Sequence, residues 1–522
     1  MKYKKLLIIL FSVLYITNLF SQDKYWVCFT DKKDSKFNPF TYFDVKAIER
    51  RIKNNISLYD STDFPLNHNY ISKIDEIAKE ITSQTRWFNA VAVWAYSDQI
   101  EKIKQLSFVK QVIPIYYQSV LAEIKTKDNP KKYDETILSG QTERMEMSIF
   151  EKHNITGKGL RIAIFDGGFP TVDVNPAFEH IRKEKRIIKT YDFTKKKEFV
   201  YSYVSHGTNV LSCIAGIIDG KKIGMAVDAE FLLARTEIVR EPFSEEENWL
   251  AAVEWADKNG ADVINSSLGY THQRYFYRDM DGKTCFVTRA ANLAAAKGIF
   301  VVNAAGNEGS GKWKFIGAPA DADSALSIGG INPATDYHTS FSSYGPTFDK
   351  RMKPNVCAYG HVVAAGKNGL HETQGTSFAS PLVAGFVACA WQTNRSLNNM
   401  ELFNEIQKSA DLYPYYDYAH GFGVPQASFF FDKEKKELEP SFSFVEEENN
   451  LIIMINKDMI DSTGNNYLFY HIENEEGILD YYTLIDVYQE RAAIISLSDL
   501  KGNKTIRAHY KKYTAEFELS KN

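Results

Sequence analysis

The sequence predicts an α/β protein built around a doubly wound parallel β-sheet, preceded by a small α+β module and followed by a small all-β module. Between Gly157 and about Val424, short apolar runs alternate with helical patterns. That alternation is typical of βαβ units, whose parallel sheet is covered on both faces. Strand and helix signals are mixed upstream of this region. After Pro425 the helical patterns give way to short strands separated by turn signals, which is typical of a β-sandwich.

Length and composition indicate several folded domains. The 522 residues correspond to about three to five domains. With 44% hydrophobic and 25% charged residues, the chain is neither disordered nor a multi-span membrane protein. A net charge of −4 argues against a nucleic-acid partner. The cysteines are too scattered for a disulfide framework or a CxxC metal site, and we interpret them as small buried hydrophobic residues; they are Cys28, Cys213, Cys285, Cys357 and Cys389.

Residues 1–21 predict a secretion signal. Lys2, Lys4 and Lys5 precede an apolar run, Leu6–Phe20, that is shorter than the roughly 20 residues a membrane helix needs. An uncleaved membrane anchor is the alternative interpretation. No other stretch has membrane-spanning length, so we expect a mature chain without a membrane span, secreted to the extracellular space or the cell envelope.

Residues 22–118 predict the α+β module, and residues 119–145 a polar linker or exposed processing region. The linker is rich in Lys, Asp, Glu, Thr and Gln and has little apolar periodicity. In the module, strand-like runs surround one stretch of helical spacing; in chain order these are Tyr25–Phe29, Thr85–Tyr96, the helical stretch 100–106, and Phe108–Tyr116.

The central α/β domain is expected over residues 146–428. Its predicted buried strands are Arg161–Phe165, Phe231–Ala234, Asp262–Asn265, Ile299–Asn303 and Leu326–Ile328, and its clearest helices are Trp249–Asn259 and Thr288–Lys297. Ser244 and Glu247 have the spacing of a capping box before Trp249. We therefore interpret the acidic run Glu245–Glu247 as a helix N-terminus rather than a metal site.

The all-β domain is expected over residues 435–522. Seven strands are predicted there: Ser441–Val445, Leu451–Ile455, Tyr467–Ile472, Tyr482–Val487, Ala493–Leu497, Thr505–Tyr510 and Thr514–Leu519.

Three short segments of the central domain each place one reactive side chain close to glycine. Asp166 ends an apolar strand and precedes Gly167 and Gly168, so it is expected at the carboxyl edge of the sheet, where α/β proteins build sites. His206 opens a helical pattern, and its imidazole suits a general base near neutral pH. Ser377 begins another helical pattern, so its hydroxyl and main-chain N–H are expected at the positive end of a helix.

These residues occur in the order Asp, His, Ser, spaced 40 and 171 residues apart, which is one of the known orders of a catalytic triad. The segments resemble the signature motifs of the subtilisin-like (subtilase) serine peptidases, the bacterial secreted type with an N-terminal propeptide. The resemblance runs from about Gly157 to Val424. It implies a subtilisin-like fold and a secreted serine endopeptidase that hydrolyses peptide bonds through Asp166, His206, Ser377 and an acyl-enzyme intermediate.

The resemblance also implies roles for neighbouring segments. Asn307 corresponds to the side-chain donor of the oxyanion hole, with the Ser377 N–H as its partner. Two segments correspond to the walls that bind the polypeptide substrate: Ser266, Ser267, Leu268 and Gly269, and Ala304, Ala305 and Gly306. The chain departs from the family pattern at Gly167, where the family usually has Ser or Thr, and at Asn209, where it often has His.

Residues 22–118 correspond to an inhibitory propeptide, so the resemblance implies a zymogen whose own propeptide is an intramolecular inhibitor. We expect a monomer whose chemistry requires no cofactor. No metal ligand is assigned, and structural calcium is left open. One alternative is an inactive or surface-anchored protein of the same fold that acts through its C-terminal β domain. An intracellular processing enzyme is another, and residues 1–21 argue against it.

Overall fold

The computed structural model describes residues 22–115, 133–238, 242–272, 274–432, 438–461, 465–500, 502 and 504–519. The predicted signal (1–21) and the first part of the predicted linker lie outside these residues. The chain divides into two compact units. Of the described residues, 22–115, 192–197, 235–238 and 242–261 belong to the first unit, and the remaining described residues belong to the second.

The helices are α1 Pro39–Tyr42, α2 Val45–Lys53, α3 His68–Asp75, α4 Ser97–Lys104, α5 Glu135–Glu143, α6 Met147–Lys152, α7 Glu179–Lys183, α8 His206–Ala215, α9 Pro242–Lys258, α10 Phe286–Ala296, α11 Thr376–Thr393 and α12 Asn399–Lys408. The strands are β1 Gln22–Phe29, β2 Glu80–Thr85, β3 Ala90–Tyr96, β4 Val109–Ile115, β5 Arg161–Asp166, β6 Ile187–Asp192, β7 Ile217–Ile218, β8 Lys221–Lys222, β9 Glu230–Arg235, β10 Val263–Ser266, β11 Phe300–Ala304, β12 Ala325–Ile331, β13 Val356–Tyr359, β14 His361–Gly366, β15 Gly369–Gln374, β16 Phe442–Glu447, β17 Asn450–Ile455, β18 Tyr467–Asn474, β19 Leu479–Asp486, β20 Arg491–Ser496, β21 Lys504–Tyr510 and β22 Tyr513–Leu519.

The first unit contains a four-stranded antiparallel sheet in the order β2-β3-β1-β4. Val27 and Val93 of the sheet pack with Ile74 of α3 and Ile103 of α4 in one core. This arrangement confirms the predicted α+β fold. The run predicted as one strand, Thr85–Tyr96, is instead the end of β2, a turn and β3. The turn contains Asn89 with a φ of 50°, a conformation that Asn tolerates and that hydrophobicity alone does not reveal.

Helix α9 also belongs to the first unit, where it lies against β2. The predicted capping box at its start is wrong. The helix begins at Pro242, so Ser244 and Glu247 both lie inside it. The Glu247 carboxylate pairs with Lys24 of β1 at 2.6 Å, and both side chains are buried. The orientation of the Glu247 side chain is therefore set by its contact with Lys24 of the propeptide-like segment. The local spacing of residues around Glu247 does not reveal this contact.

The second unit is built on a seven-stranded sheet in the order β13-β12-β11-β10-β5-β9-β6. The pairs from β5 through β10, β11 and β12 to β13 are parallel. Every residue of β5, β10 and β11 is buried, as a sheet covered on both faces requires. This confirms the predicted α/β fold. The sheet order places the carboxyl ends of β5, β10 and β11 side by side.

The second half of the predicted linker (119–145) is helical, which corrects that part of the prediction. Helix α5 spans Glu135–Glu143, and its Leu138 is 2% exposed within the core of the second unit. Gln141 donates to Ile223 O at 2.9 Å and accepts from Val363 N at 2.9 Å. This polar stretch is held by one buried Leu and by the hydrogen bonds of the Gln141 side-chain amide. Because few apolar residues are involved, the sequence shows little apolar periodicity here.

The C-terminal part forms two antiparallel sheets, β16-β17-β20 and β19-β18-β21-β22. Leu451 and Ile453 of the first sheet share one core with Leu468 and Ile506 of the second. The predicted all-β fold of seven strands is thus confirmed. Four of the five cysteines are buried, and Cys28 is partly buried. No helix in the described part of the chain has the length and apolar character needed to cross a membrane.

Candidate active site

Asp166 is the last residue of β5 and is fully buried. His206 is the first residue of α8, and its Nδ1 lies 3.0 and 2.8 Å from the two carboxylate oxygens of Asp166. The Asp166 carboxylate also accepts from Gly167 N at 2.7 Å. A carboxylate in this position holds the imidazole with its proton on Nδ1 and leaves Nε2 as the acceptor.

Two glycines allow this close approach of strand and helix. A Cβ on Gly207 would lie 2.4 Å from Gly168 O and 2.9 Å from the Asp166 Cβ. Gly168 has a φ of +149°, and a Cβ on it would lie 2.3 Å from Ser202 O. Gly207 is therefore needed for space, and Gly168 is needed for space and for its backbone conformation.

The charge of Asp166 changes the acidity of His206. Burial alone would lower the pKa of the imidazole, but the negative charge and hydrogen bond of Asp166 outweigh it, so the His206 pKa lies above its usual value. The His206 side chain is 36% exposed, whereas that of Asp166 is 0% exposed. The buried carboxylate stabilises the imidazolium that forms when His206 takes up a proton.

Ser377 lies in the first turn of α11 and is 9% exposed. Its Oγ donates to the main-chain oxygen of Ser267 at 3.2 Å. Both Ser377 and His206 are among the described residues, and no hydrogen bond joins them in this conformation. The ring of Phe378 lies against His206, with the ring centroids 5.3 Å apart. Rotation of the Ser377 hydroxyl about its Cα–Cβ bond would release it from the Ser267 carbonyl.

A buried polar chain ties the Ser377 backbone to the end of β10. Ser380 Oγ donates to Asn265 Oδ1 at 2.8 Å, and Asn265 Nδ2 donates to Ser267 Oγ at 3.2 Å. Ser267 Oγ in turn donates to Ser377 O at 2.9 Å. Sequence reasoning missed the contributions of Asn265 and Ser380. Asn265 ends a predicted strand and Ser380 follows Ser377 by three residues, but only the packing of α11 against β10 shows that they meet.

Asn307 follows β11, and its side-chain oxygen accepts two hydrogen bonds from Thr376. The donors are Thr376 N at 2.9 Å and Thr376 Oγ1 at 3.0 Å. Because both donors lie on the oxygen side, they set the orientation of the amide and leave Nδ2 as its free donor. A Cβ on Gly375 would lie 3.4 Å from that Nδ2. The donor group of Asn307 is thus held beside the start of α11.

The two predicted wall segments lie at the carboxyl ends of adjacent strands. Ser266, Ser267, Leu268 and Gly269 end and follow β10, and Ala304, Ala305 and Gly306 end and follow β11. Asn303 Nδ2 donates to Leu268 O at 3.1 Å and so joins the two segments. A Cβ on Gly269 would meet no atom of the described residues within 4 Å. The space beside Gly269 is therefore open to a ligand.

Asn209, where the family often has His, lies within hydrogen-bond distance of a histidine from another segment of the chain. Asn209 Nδ2 lies 3.3 Å from His371 Nε2, and both residues are buried. Among the described residues, no group of three or more His, Cys, Asp or Glu side chains is placed to hold a metal ion.

The fold and these motifs define a peptidase of the subtilisin type. The sequence model of the subtilase family, peptidase S8, matches residues 157–431, which is more than half of the chain. The model of the peptidase S8 propeptide domain of Bacteroidota matches residues 24–133. The chain therefore belongs to the subtilase family, whose members are hydrolases acting on peptide bonds, and it carries a propeptide domain.

Its relatives include bacterial subtilisins. The chain is 28% identical to alkaline elastase YaB of Bacillus sp. (strain YaB) over 51% of this chain and 63% of the relative. It is 25% identical to subtilisin E of Bacillus subtilis (strain 168) over 65% and 79%, and 29% identical to subtilisin of Bacillus pumilus over 49% and 85%. The crystal structure of MycP1 from the ESX-1 type VII secretion system has a TM-score of 0.45 and 22% identity, covering 58% of this chain and 88% of that chain.

Proposed function

We propose that this protein is a secreted serine endopeptidase, made as a zymogen, in which Ser377 is the nucleophile, His206 the general base and Asp166 the residue that orients His206. The observation that carries the proposal is the bond from His206 Nδ1 to the buried Asp166 carboxylate. That bond leaves Nε2 to accept a proton, as a base that activates a serine requires.

In the proposed reaction, the Ser377 hydroxyl turns from Ser267 O towards His206 Nε2. As Oγ attacks the carbonyl carbon of the scissile bond, its proton passes to Nε2, and the carbonyl oxygen becomes an oxyanion. His206 then gives the proton to the leaving amine, and an acyl-enzyme remains on Ser377. Water activated by the same imidazole hydrolyses that ester and restores the serine.

We assign the oxyanion to the Asn307 Nδ2 donor and the main-chain N–H of Ser377. The Thr376 bonds to Asn307 Oδ1 keep this donor oriented before the reaction begins. Donors that are already in place stabilise the developing charge without reorganising during the reaction. The first turn of α11 adds the positive end of a helix.

We assign the binding of extended polypeptide substrates to the two segments after β10 and β11. Main-chain groups at 266–269 would pair with the substrate as an added strand. The main-chain oxygen of Ser267 has two roles in this proposal: it accepts the Ser377 hydroxyl in the free protein, and it would accept an N–H of the substrate in the complex. Substrate binding would thus free the nucleophile.

The zymogen part of the proposal is supported by contacts inside the first unit. The carboxylate of Glu254 on α9 accepts from the Thr85 hydroxyl and from the main-chain N–H groups of Arg86 and Trp87, the latter two at 3.2 Å. These donors occupy the turn between β2 and β3. Burial raises the pKa of Glu254, and the three hydrogen bonds oppose that shift.

A second contact is a buried ion pair. Arg51 of the propeptide segment binds Asp257 of α9 through two parallel bonds of 2.9 and 2.7 Å, and it also reaches Asp63 at 3.2 Å. Both Arg51 and Asp257 are at most 2% exposed. Bidentate Arg–carboxylate pairs of this kind are specific in geometry. They would retain the propeptide on the peptidase after the chain between them is cut.

Export rests on the sequence of residues 1–21, which predicts a signal peptide, and on the secreted type that the family resemblance implies. Mass spectrometry of the N-terminus of the protein from the culture medium tests it. A mature protein that retains the Leu6–Phe20 run would instead support the anchored alternative.

A fluorophosphonate probe tests the proposed nucleophile. The probe should label the matured protein at Ser377, identified by peptide mapping, and Ser377→Ala should abolish both labelling and propeptide release. Thr393→Ala, at the other end of the same helix, is the control and should still be labelled. Labelling that persists in Ser377→Ala would overturn the assignment, and an unlabelled parent protein would favour the inactive alternative.

A further inference from the structure

The ammonium of Lys353 is buried in a cage of oxygen atoms. Its Nζ donates to Ala322 O at 2.8 Å, to Ala325 O at 2.6 Å and to Asn355 Oδ1 at 3.1 Å. The residue is 2% exposed. Three donors thus meet three acceptors, which is the full hydrogen-bonding capacity of an ammonium group.

The oxygen atoms of the cage come from two chain segments that enter the sheet side by side. Ala325 is the first residue of β12, and Ala322 lies three residues before it. Asn355 directly precedes β13. Asn355 also accepts from Ser327 N at 2.8 Å and donates from its own N to Ser327 O at 2.8 Å. The cage therefore joins the amino ends of β12 and β13, whereas Asp166, Asn307 and the wall segments lie at the carboxyl ends of strands.

All three cage oxygens are neutral. Two are main-chain carbonyls and one is an amide oxygen. Calcium sites include carboxylate ligands, and none of the three oxygens of this cage is a carboxylate. Rings of neutral carbonyls instead replace the hydration shell of monovalent cations such as K⁺.

Charged neighbours surround the cage without entering it. Arg351 donates to Asp321 O at 2.7 Å and pairs with Asp323 at 2.7 Å. The Asp321 carboxylate is engaged by Gly282 N at 3.0 Å and by the Thr288 hydroxyl at 2.5 Å. Burial, helped by Arg351, lowers the pKa of Lys353 to about 7, and Asp321 and Asp323 oppose that shift.

We propose that this oxygen cage is a site for a monovalent cation that the chain fills with the ammonium of its own Lys353. Removing the ammonium while leaving its space empty opens the cage to K⁺ or NH₄⁺ from solution. The site stabilises the amino ends of β12 and β13 and takes no part in the reaction at Ser377.

The test uses the full chain carrying Ser377→Ala, so that self-digestion does not contribute. Thermal unfolding is measured at pH 6, where the lysine is charged, in chlorides of potassium, ammonium and tetramethylammonium at equal ionic strength. Lys353→Ala empties the cage, and Lys353→Met fills it with an uncharged chain of similar length. Tetramethylammonium is the control cation, because it has no N–H groups and is too large for the cage.

In tetramethylammonium both variants should melt roughly 5–10 °C below the parent. Potassium or ammonium should restore at least half of that loss in Lys353→Ala and none of it in Lys353→Met, and the parent should respond to none of the three cations. Equal melting of Lys353→Ala in all salts would overturn the proposal, as would an equal response of the parent. If Lys353→Ala does not fold in tetramethylammonium, refolding yield is measured in each salt. Recovery in potassium or ammonium supports the site, and failure in every salt counts against it.

Discussion

Thr376 donates both its main-chain N–H and its hydroxyl to the side-chain oxygen of Asn307, at 2.9 and 3.0 Å. The residue directly before the proposed nucleophile thereby orients the proposed oxyanion donor. The hydroxyl of Thr376 also accepts from Gly306 N at 3.2 Å. The wall segment after β11, the oxyanion donor and the nucleophile are consequently joined through one threonine.

This relationship predicts that Thr376→Val reduces kcat by roughly tenfold with a small change in KM. Valine has nearly the same shape but lacks the hydroxyl, so one of the two bonds that orient Asn307 is lost, at a cost of about 1.4 kcal/mol. Thr376→Ser keeps a hydroxyl and should retain most of the activity. Asn307→Ala should cost about 10²–10³ in kcat, the range known for subtilisin itself. Steady-state kinetics on a peptide substrate measure all three, and equal activities of Thr376→Val and the parent would contradict the role of the hydroxyl.

The pH profile should report the Asp166–His206 pair. His206 acts as a base only when it is neutral, so kcat/KM should fall as the pH drops through its pKa. Asp166 raises that pKa, so the acid limb should lie above the usual imidazole value of about 6.5. Asp166→Asn removes the charge, so the limb should move to lower pH while kcat falls by about 10⁴. If the acid limb does not move in this variant, it does not report the ionisation of His206.

The buried chain from Ser380 through Asn265 to Ser267 should act as one unit on Ser377. Asn265→Asp keeps the shape but replaces the donor to Ser267 Oγ with a carboxylate oxygen, so kcat should fall roughly tenfold. Ser267→Ala should lower kcat similarly, and combining the two should cost little more than either alone. A double-mutant cycle on kcat, with KM recorded separately, measures this coupling. Fully additive losses would show that the bonds act independently.

The propeptide should be retained by the Arg51–Asp257 pair. Arg51→Met removes the bidentate partner of the buried Asp257 carboxylate, which keeps its ion pair with Arg50. Breaking a buried pair completely costs about 3–5 kcal/mol, so the loss of one of two arginines should cost less, and the inhibition constant of propeptide added to the mature peptidase should rise by roughly 10- to 100-fold. Arg51→Lys keeps the charge but loses the bidentate geometry. Its inhibition constant should therefore lie between those of the parent and Arg51→Met. Equal inhibition by all three propeptides would exclude this pair as an anchor.

Binding of the propeptide should weaken as the pH rises above the ordinary carboxyl pKa of 4.5 and through the raised pKa of Glu254. The pKa of Glu254 is raised in the bound state, so the complex holds a proton that the separated partners release. A raised pKa contributes stability that is present below the ordinary carboxyl value of 4.5 and is lost as the pH rises through the raised pKa. Glu254→Gln does not titrate, so its inhibition constant should vary less with pH across this window. A slope as steep as that of the parent would assign the effect to other groups.

The sequence was sufficient wherever a local pattern carries the information. Alternating apolar runs located β5, β10 and β11, and period-2 segments located the seven C-terminal strands. Asp166, His206 and Ser377 could be singled out because each lies beside glycines required by close backbone approach, as at Gly207. The propeptide domain and the subtilase family followed from the same short segments.

Tertiary structure alone decided which side chains meet. Helix α5 was hidden in a polar stretch, because its Gln141 is held by hydrogen-bond partners 82 and 222 residues away in sequence. The Ser380–Asn265 bond spans 115 residues, and the cage around Lys353 exists only because β12 and β13 are neighbours in the sheet. Local periodicity reports how each segment folds and which side is buried. The pairing of distant groups depends on which strands lie side by side in the sheet. No single segment of the sequence contains that information.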